Sequence, residues 1–549
     1  MNAYGYWMLG IALLYTMLLI GAGMVARKRV SQSEGFFVGG RQFNRWTVAF
    51  MITGLFAGST YISILELTYL KGISAVWYGV AELTHILIIA IVLLGSFREK
   101  LLVTISGLIG DTYGRAALGI AGFITAVTFP MWSVATALAF ASALHVLTGL
   151  SLMASVTVTA VLLLVYLQAG GMWSIAFTQT ANSIAFFAMF VVGIIAVLAS
   201  PGLEGLAHLK LTQPEMFDLD HVGLQMIMAW FGTFWVNVLV AQAAFQMALS
   251  CKTPEEGRKG LYIAAGFNAI FIIMAVVIGL SAAAVTPGIS RGLVAVPTYL
   301  MGTLPPWMVG VFTLGIWAAA LGWGAPCQFS GATSLGKDFG KAIYPQVSPE
   351  TQVKWTKISL VILTVLMVVY GFLRAENAAW WNVFAWTARN GATFAPVLAA
   401  LAWPVATRKG VLAAMVLGFT SGLVWNSLGN WSAENFYLNT HPVWVGMIFN
   451  IASLVVFSLV GRIGNLKFST NVSGTKRLIG FGSALMAIAL LFLIALDYAW
   501  LFDKGLLGMF LFILVFLVWI VLISFVQLAE GSCISTAKEM DMDTGSIGK

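Results

Sequence analysis

Residues 46–70, WTVAFMITGLFAGSTYISILELTYL, and residues 73–97, ISAVWYGVAELTHILIIAIVLLGSF, are two apolar runs separated only by Lys71 and Gly72. Each is about as long as a helix needs to be to cross a bilayer, roughly 20 apolar residues. Both carry residues that are out of place in hydrocarbon. The first has the small polar run Gly54, Gly58, Ser59 and Thr60, and the second has Glu82 and His85. A charge near the bilayer centre costs at least ~2.5–3.5 kcal/mol, so Glu82 marks a functional position that needs a partner. His85, three residues on, shares its helical face.

The rest of the chain repeats this pattern. Of its 549 residues 60% are hydrophobic and 9% charged, with a mean hydropathy of +0.92. A soluble chain carries about 25% charged residues, so a water-soluble enzyme and a disordered or fibrous chain are excluded. Further apolar windows lie near 4–26, 117–148, 151–168, 172–199, 223–249, 261–288, 307–336, 357–374, 380–405, 410–428, 442–461, 478–499 and 505–528. The expected fold class is an all-α integral membrane protein of about fifteen transmembrane helices. The first window lacks the basic start and the small-residue cleavage site of a signal peptide.

Loop charge tests this count. With the N-terminus outside and the C-terminus in the cytoplasm, the outer side keeps only Lys71, Lys210, Arg291, Arg374 and Lys504. Clusters such as Arg27-Lys28-Arg29, Arg408-Lys409 and Lys476-Arg477 fall inside, as the positive-inside rule requires of a plasma (cell inner) membrane protein. The net charge of +8 is therefore a topology signal, and no nucleic-acid partner is expected. Cys251, Cys327 and Cys533 are scattered and form neither a disulfide framework nor a metal cluster. No stretch is long enough for a nucleotide-binding domain, and no G-x-x-x-x-G-K-[ST] occurs. H-E-x-x-H and G-x-S-x-G are also missing, so the chain reads as a non-enzyme. Gradient-driven transport remains.

Several segments resemble the sodium:solute symporter family, which includes carriers of sugars, proline, iodide and acetate. Phe36-Phe37-Val38-Gly39-Gly40-Arg41 resembles that family's Y-F-x-G-G-R entry to the second span, and Gly170-Gly171-Met172 with Phe177-Thr178-Gln179 resembles its G-G-x…W-T-D segment. Phe245-Gln246-Met247-Ala248 with the 252–260 loop is similar to its Q-R-x-x-A-x-K passage. Gly331-Ala332-Thr333-Ser334 through Asp338 resembles N-S-A-S-T-x-x-x-x-D, and Ala395-Pro396 through Gly410 resembles P-x…W-x-x-A-T-x-K-G. The five stand in the family's order over roughly residues 36–410.

The resemblance implies the leucine-transporter fold, two inverted five-helix repeats around a central site between interrupted helices. The division it implies is a leading helix over 1–30, repeats over 36–205 and 206–407, four accessory helices over 408–528 and a polar cytoplasmic tail over 529–549. Core helix one is expected to unwind at Gly54–Thr60; the alternative is that its glycines serve close helix packing. A central site is expected to draw on Thr60, Tyr61, Glu82, His85, Trp230, Trp235, Asn237 and Arg389. Glu82 resembles a glutamate that lines the substrate site in sugar-carrying members. Arg389, near mid-depth in 380–405, has the geometry to anchor a carboxylate, leaving Glu82 and His85 to hold a proton or an amine. The alternative is a Glu82–Arg389 pair that locks two helices. Glu66, His145 and Asp497 lie nearer span ends and are expected to reach water.

The sequence departs from the family at its sodium site. Where helix eight of sodium-coupled members offers hydroxyls, this chain has Ala319, Gly322 and Trp323. Only backbone carbonyls, from Gly54, Ala57 and Ala319, would then face the ion, unless a one-turn slip brings Ser330, Thr333 or Ser334 into play. The W-T-D aspartate is Gln179. The expected function is cation-coupled symport of a small organic solute by alternating access, the solute a carboxylate or an amino acid. The coupling ion is a proton through Glu82 or His85 if the sodium site is degraded, and no other cofactor is expected. The alternatives are a transporter-like solute sensor and an uncoupled facilitator or exchanger. The bilayer and the solute are the expected partners; the sequence names no regulatory one.

Overall fold

The computed structural model describes residues 3–27, 41–94, 104–168, 171–375, 378–460, 462–469 and 472–528. Residues 36–40, Gly170 and the tail over 529–549, which the sequence reading used, lie outside these, as do the side chains of Ala57, Ser59, Phe245 and Gln246.

The described chain is helical almost throughout. The first helices are α1 (Ala3–Arg27), α2 (Arg45–Lys71), α3 (Val76–Ile88), α4 (Ile105–Tyr113), α5 (Arg115–Thr148), α6 (Leu152–Leu167), α7 (Gly171–Ala199) and α8 (Gly202–Thr212). Then come α9 (Leu224–Asn237), α10 (Gln242–Ala248), α11 (Pro254–Val285), α12 (Gly292–Thr303), α13 (Pro306–Ala319), α14 (Ala325–Thr333) and α15 (Gly340–Ile343). The chain ends with α16 (Pro349–Leu373), α17 (Ala378–Ala402), α18 (Arg408–Leu428), α19 (Pro442–Val460), α20 (Gly474–Leu496), α21 (Tyr498–Asp503) and α22 (Leu507–Phe525).

Among the described residues, 11 helical stretches are long and apolar enough to cross a membrane. That is fewer than the number of apolar windows, for identifiable reasons. A 3-10 turn at Gly72–Ala75 carries α2 directly into α3, so two windows form one continuous stretch. Gly72 has φ 67° with the Met216 carbonyl directly against it, and only glycine fits there. The window at 151–168 is a shorter helix, and the one at 223–249 is broken.

The chain divides into two compact units, one of Met1–Thr104 with Thr125–Ala385, the other of Ile105–Ile124 with Trp386–Lys549. In the first unit α11 runs alongside α2, with Gly260 against Val48 at one end and Gly279 against Thr68 at the other. The expected unwinding of helix one does not occur: α2 is continuous through Gly54–Thr60. Its glycines serve close packing instead. A methyl group on Gly58 would strike the Ala319 carbonyl, and one on Gly322 would strike the carbonyl of Gly54. An interruption falls in a later helix instead. α9 ends at Asn237, residues 238–241 form turns, and α10 resumes at Gln242.

Helix eight also departs from regular geometry. Between α13 and α14 the chain passes through a π turn, Ala320–Gly324, and a second π turn, Ser334–Phe339, follows α14. Pro326 explains the first, because it has no N–H to offer the carbonyl one turn back.

In the second unit the lower part of α17 packs with α18 and α19 through Gly391, Gly418 and Gly446, whose backbones touch. β1 (Leu466–Phe468) pairs antiparallel with β2 (Val526–Leu528), joining a loop to the end of α22. The apolar windows gave no hint of this ribbon.

Candidate functional site

α3 buries one stripe, Tyr78, Glu82 and His85, at positions i, i+4 and i+7 of the same face. Phe234 of α9 touches both ends of it, with ring centroids 5.4 Å from Tyr78 and 5.9 Å from His85. Trp230, one turn earlier on α9, meets Tyr78 edge to face at 5.4 Å. Glu82 therefore lies between two ring-bearing residues that a single phenyl group spans. From α2, Phe56 meets His85 at 5.7 Å and Trp323 at 6.3 Å. Trp323 stands 6.3 Å from Trp132 of α5, whose Nε1 donates to the Asn382 carbonyl at 3.2 Å. Asn382 Nδ2 donates in turn to Ser63 Oγ at 3.1 Å.

Along this aromatic chain, buried polar atoms are left without hydrogen-bond partners in the protein. They are both oxygens of Glu82, both ring nitrogens of His85, Thr60 Oγ1, Asn237 Oδ1, Trp323 Nε1 and Asn382 Oδ1. Native interiors pair nearly all such atoms, so a cluster of them within one unit outlines a place for a ligand. The buried carboxylates of this unit make the contrast sharp. Glu66 accepts from the Ala379 amide, Asp338 lies 3.5 Å from Lys337 Nζ, and Glu82, 2% exposed, has neither.

The sequence-based candidates separate. Thr60, Glu82, His85, Trp230, Asn237 and Trp323 are buried in the first unit, on or beside this chain of rings. Tyr61 turns elsewhere: its hydroxyl donates to Asn268 Oδ1 at 2.7 Å, and its ring packs among Phe186, Phe190 and Phe271. Trp235 is 52% exposed and donates to Thr84 Oγ1 on another face of α3. One residue beyond Phe234 on the helix, it faces away from the rings. Arg389 is buried in the second unit. Glu66, expected to reach water, is 1% exposed and sits at the N-terminus of α17 with its Oε2 3.0 Å from the Ala379 amide. Asp497 is exposed, and His145 Nδ1 lies 2.6 Å from the Leu150 carbonyl near a helix end. Sequence reasoning passed over Phe56, Tyr78, Phe234 and Asn382. Of these Phe56, Tyr78 and Phe234 each stand four residues from a candidate on the same helix, Thr60, Glu82 and Trp230, and so carried a readable helical signal.

Gln179 lies against two of the residues expected around a sodium ion, Gly54 and Gly322. Gln179 Nε2 donates to the Gly322 carbonyl at 2.6 Å while Oε1 lies against Gly54. Asn182 Nδ2 donates to Gln179 Oε1 at 3.0 Å, and the Tyr15 hydroxyl donates to Asn182 Oδ1 at 2.8 Å. The Gly322 carbonyl lacks its helical donor because Pro326 stands four residues on. In a continuous α2 the carbonyls of Gly54 and Ala57 serve the helix's own ladder. The hydroxyls of Thr333 and Ser334 have protein partners. Gln242 Nε2 donates to the Ser330 carbonyl and to Ser334 Oγ, and Thr333 Oγ1 donates to the Phe329 carbonyl.

Residues 36–418 match the sodium:solute symporter family. The chain belongs to that family. Among its relatives, the sodium/proline symporter of Escherichia coli is 23% identical over 484 residues, covering 82% of this chain and 92% of that protein. The sodium-coupled monocarboxylate transporter 2 of Danio rerio is 24% identical over 457 residues, covering 76% and 71%. A solved sodium-coupled sialic acid symporter, in a substrate-bound outward-open state, superposes with a TM-score of 0.67 at 13% identity, covering 83% of this chain and 98% of that one. At that identity the likeness is one of fold. It gives this family member the all-helical leucine-transporter architecture of a multi-pass membrane protein.

Proposed function

We propose that the chain carries a small organic solute across the plasma membrane by cation-coupled symport and alternating access. Thr60, Glu82, His85, Trp230 and Asn237 would hold the solute. The repeats over 36–205 and 206–407 would be its two halves, with the N-terminus outside. The observation that carries this reading is Glu82, whose two oxygens are buried with no partner in the protein. A membrane protein keeps such a carboxylate where a substrate or ion path needs it. The broken helix at 238–241, beside Asn237, supplies irregular backbone of the kind that lines transporter sites.

The identity of the coupling ion rests on Gln179. An amide donor aimed at the Gly322 carbonyl takes the position a cation would need, and neither Gly322 nor Trp323 offers a hydroxyl. This favours a proton over sodium, held by Glu82 or His85. Uptake into proteoliposomes under an imposed sodium gradient or an imposed proton gradient tests both statements. Accumulation under the proton gradient alone, lost in Glu82→Gln and His85→Gln together, is the expected result. Sodium-driven accumulation that survives Glu82→Gln would refute the proton reading and leave symport standing.

A further inference from the structure

Among the described residues of the first unit no lysine or arginine is buried. The Glu82 carboxylate thus has no protein cation in its own unit to match its charge. Its surroundings are rings: Tyr78 and His85 on its own helix face, Phe234 spanning them, Trp230 beyond Tyr78 and Phe56 beyond His85. We propose that this arrangement is a recognition site for an organic cation, so that the solute carried bears a positively charged nitrogen, an amine or a quaternary ammonium. The inference rests on the carrier reading above and names the class of its solute.

A buried carboxylate without a countercharge is costly, and the cost is lifted only by neutralising the group or by bringing a cation to it. Aromatic faces attract a cation through their quadrupole, most strongly where water is excluded, and they tolerate the alkyl groups that such a cation carries. A hard cation such as sodium or magnesium wants several oxygens and finds a phenol and an imidazole beside Glu82, and for a transition metal no group of three His, Cys, Asp or Glu side chains occurs among the described residues. With Glu82 ionised, an anionic solute would meet an unscreened negative charge at close range. With Glu82 engaged by the solute, His85 is the group left to carry a coupling proton.

The test is binding to the purified full-length protein in detergent, read by thermal shift and by isothermal titration. The probes are choline, pyrrolidinium and ethylammonium, set against 3,3-dimethylbutan-1-ol, which has the shape of choline with carbon in place of nitrogen, and against acetate. At least one charged-nitrogen probe is expected to raise Tm. The neutral isostere and acetate leave Tm unchanged. Glu82→Gln, which removes the charge and keeps the shape, is expected to weaken that binding at least tenfold while remaining folded. Phe234→Leu weakens it severalfold and leaves the neutral alcohol unaffected.

Equal binding of the isostere or of acetate would overturn the proposal, as would binding in Glu82→Gln within twofold of wild type, or binding of no charged-nitrogen probe. Uptake separates this from the carrier reading. A cation that binds through Glu82 but never accumulates in proteoliposomes defeats the carrier and leaves the recognition site. A neutral or anionic solute that accumulates in Glu82→Gln does the reverse.

Discussion

Gln179 Nε2 donates to the carbonyl of Gly322 at 2.6 Å, joining α7 to the π turn that follows α13. The bond answers a vacancy in the backbone ladder made by Pro326, and Asn182 and Tyr15 hold the far side of the amide in turn. On the proton-coupled reading proposed above, this glutamine is a neutral donor in place of a cation. Wild-type protein is therefore expected to show the same Tm in NaCl and in KCl at equal ionic strength. Gln179→Asp removes the donor and leaves a carboxylate beside the same carbonyl, and it is expected to lower Tm in KCl and recover part of the loss selectively in NaCl. Equal behaviour of the variant in both salts would show that no cation fits there.

Glu66 and Ala379 are joined over 313 residues by a hydrogen bond from the amide to the carboxylate. The carboxylate meets the positive end of α17, where the first amides have no helical acceptor. Glu66→Ala is expected to cost about 1–3 kcal/mol, because it leaves a buried N–H unsatisfied. Glu66→Gln keeps an acceptor in place and should lose less than half as much. Thermal unfolding of the purified variants ranks them; equal loss in both would mean that charge rather than acceptance is what α17 needs.

His441 lies in the loop before α19, where burial lowers its imidazole from the ordinary 6.5 to about 3. Its Nδ1 accepts the Val443 N–H at 3.2 Å, which requires the neutral ring. A group with a depressed folded value contributes stability that is complete above about pH 6.5 and is lost as pH falls toward 3. Tm is expected to decline across that window more steeply in wild type than in His441→Asn, which offers the same amide an uncharged acceptor. Parallel curves for the two proteins would remove His441 as the source.

How much of this was legible in the sequence depends on the range over which each feature acts. The helical membrane class and the shared face of Glu82 and His85 follow from hydropathy and from spacings within one or two turns, and both appear in the structure, whereas the apolar windows did not show which of them merge, shorten or break. Trp235 was misplaced because a ring one residue from Phe234 faces a different neighbour, and mere membership of the helix does not say which. The hydroxyl partner of Tyr61 was not legible because Asn268 lies on a helix about two hundred residues away. The glycines of α2 were read as a point of unwinding, since a small-residue run serves equally for a break and for close packing. Only the neighbours at Ala319 and Gly322 decide between them. Gln179 was seen as a substitution, but its role depends on Pro326 in another helix, and no periodicity links the two.

Asn450 supplies the last prediction. Within α17, Pro396 deprives the Ala392 carbonyl of its helical donor. Asn450 Nδ2, from α19, donates to that carbonyl at 3.0 Å and to the Ala414 carbonyl of α18 at 2.9 Å, while its Oδ1 accepts the Ala395 N–H at 2.8 Å. One side chain thus satisfies backbone groups of two other helices at the place where Gly391, Gly418 and Gly446 bring all three together. Each group left unmet in that dry contact costs about 1–3 kcal/mol, so Asn450→Ala is expected to be strongly destabilising. Asn450→Asp is the sharper test. It keeps the acceptor for Ala395 but turns an oxygen toward two carbonyls, and it should be at least as damaging as alanine despite its closer shape. The comparison is made by Tm and by the yield of monodisperse protein in detergent. An aspartate variant as stable as wild type would show that the amide nitrogen does not hold the three helices together.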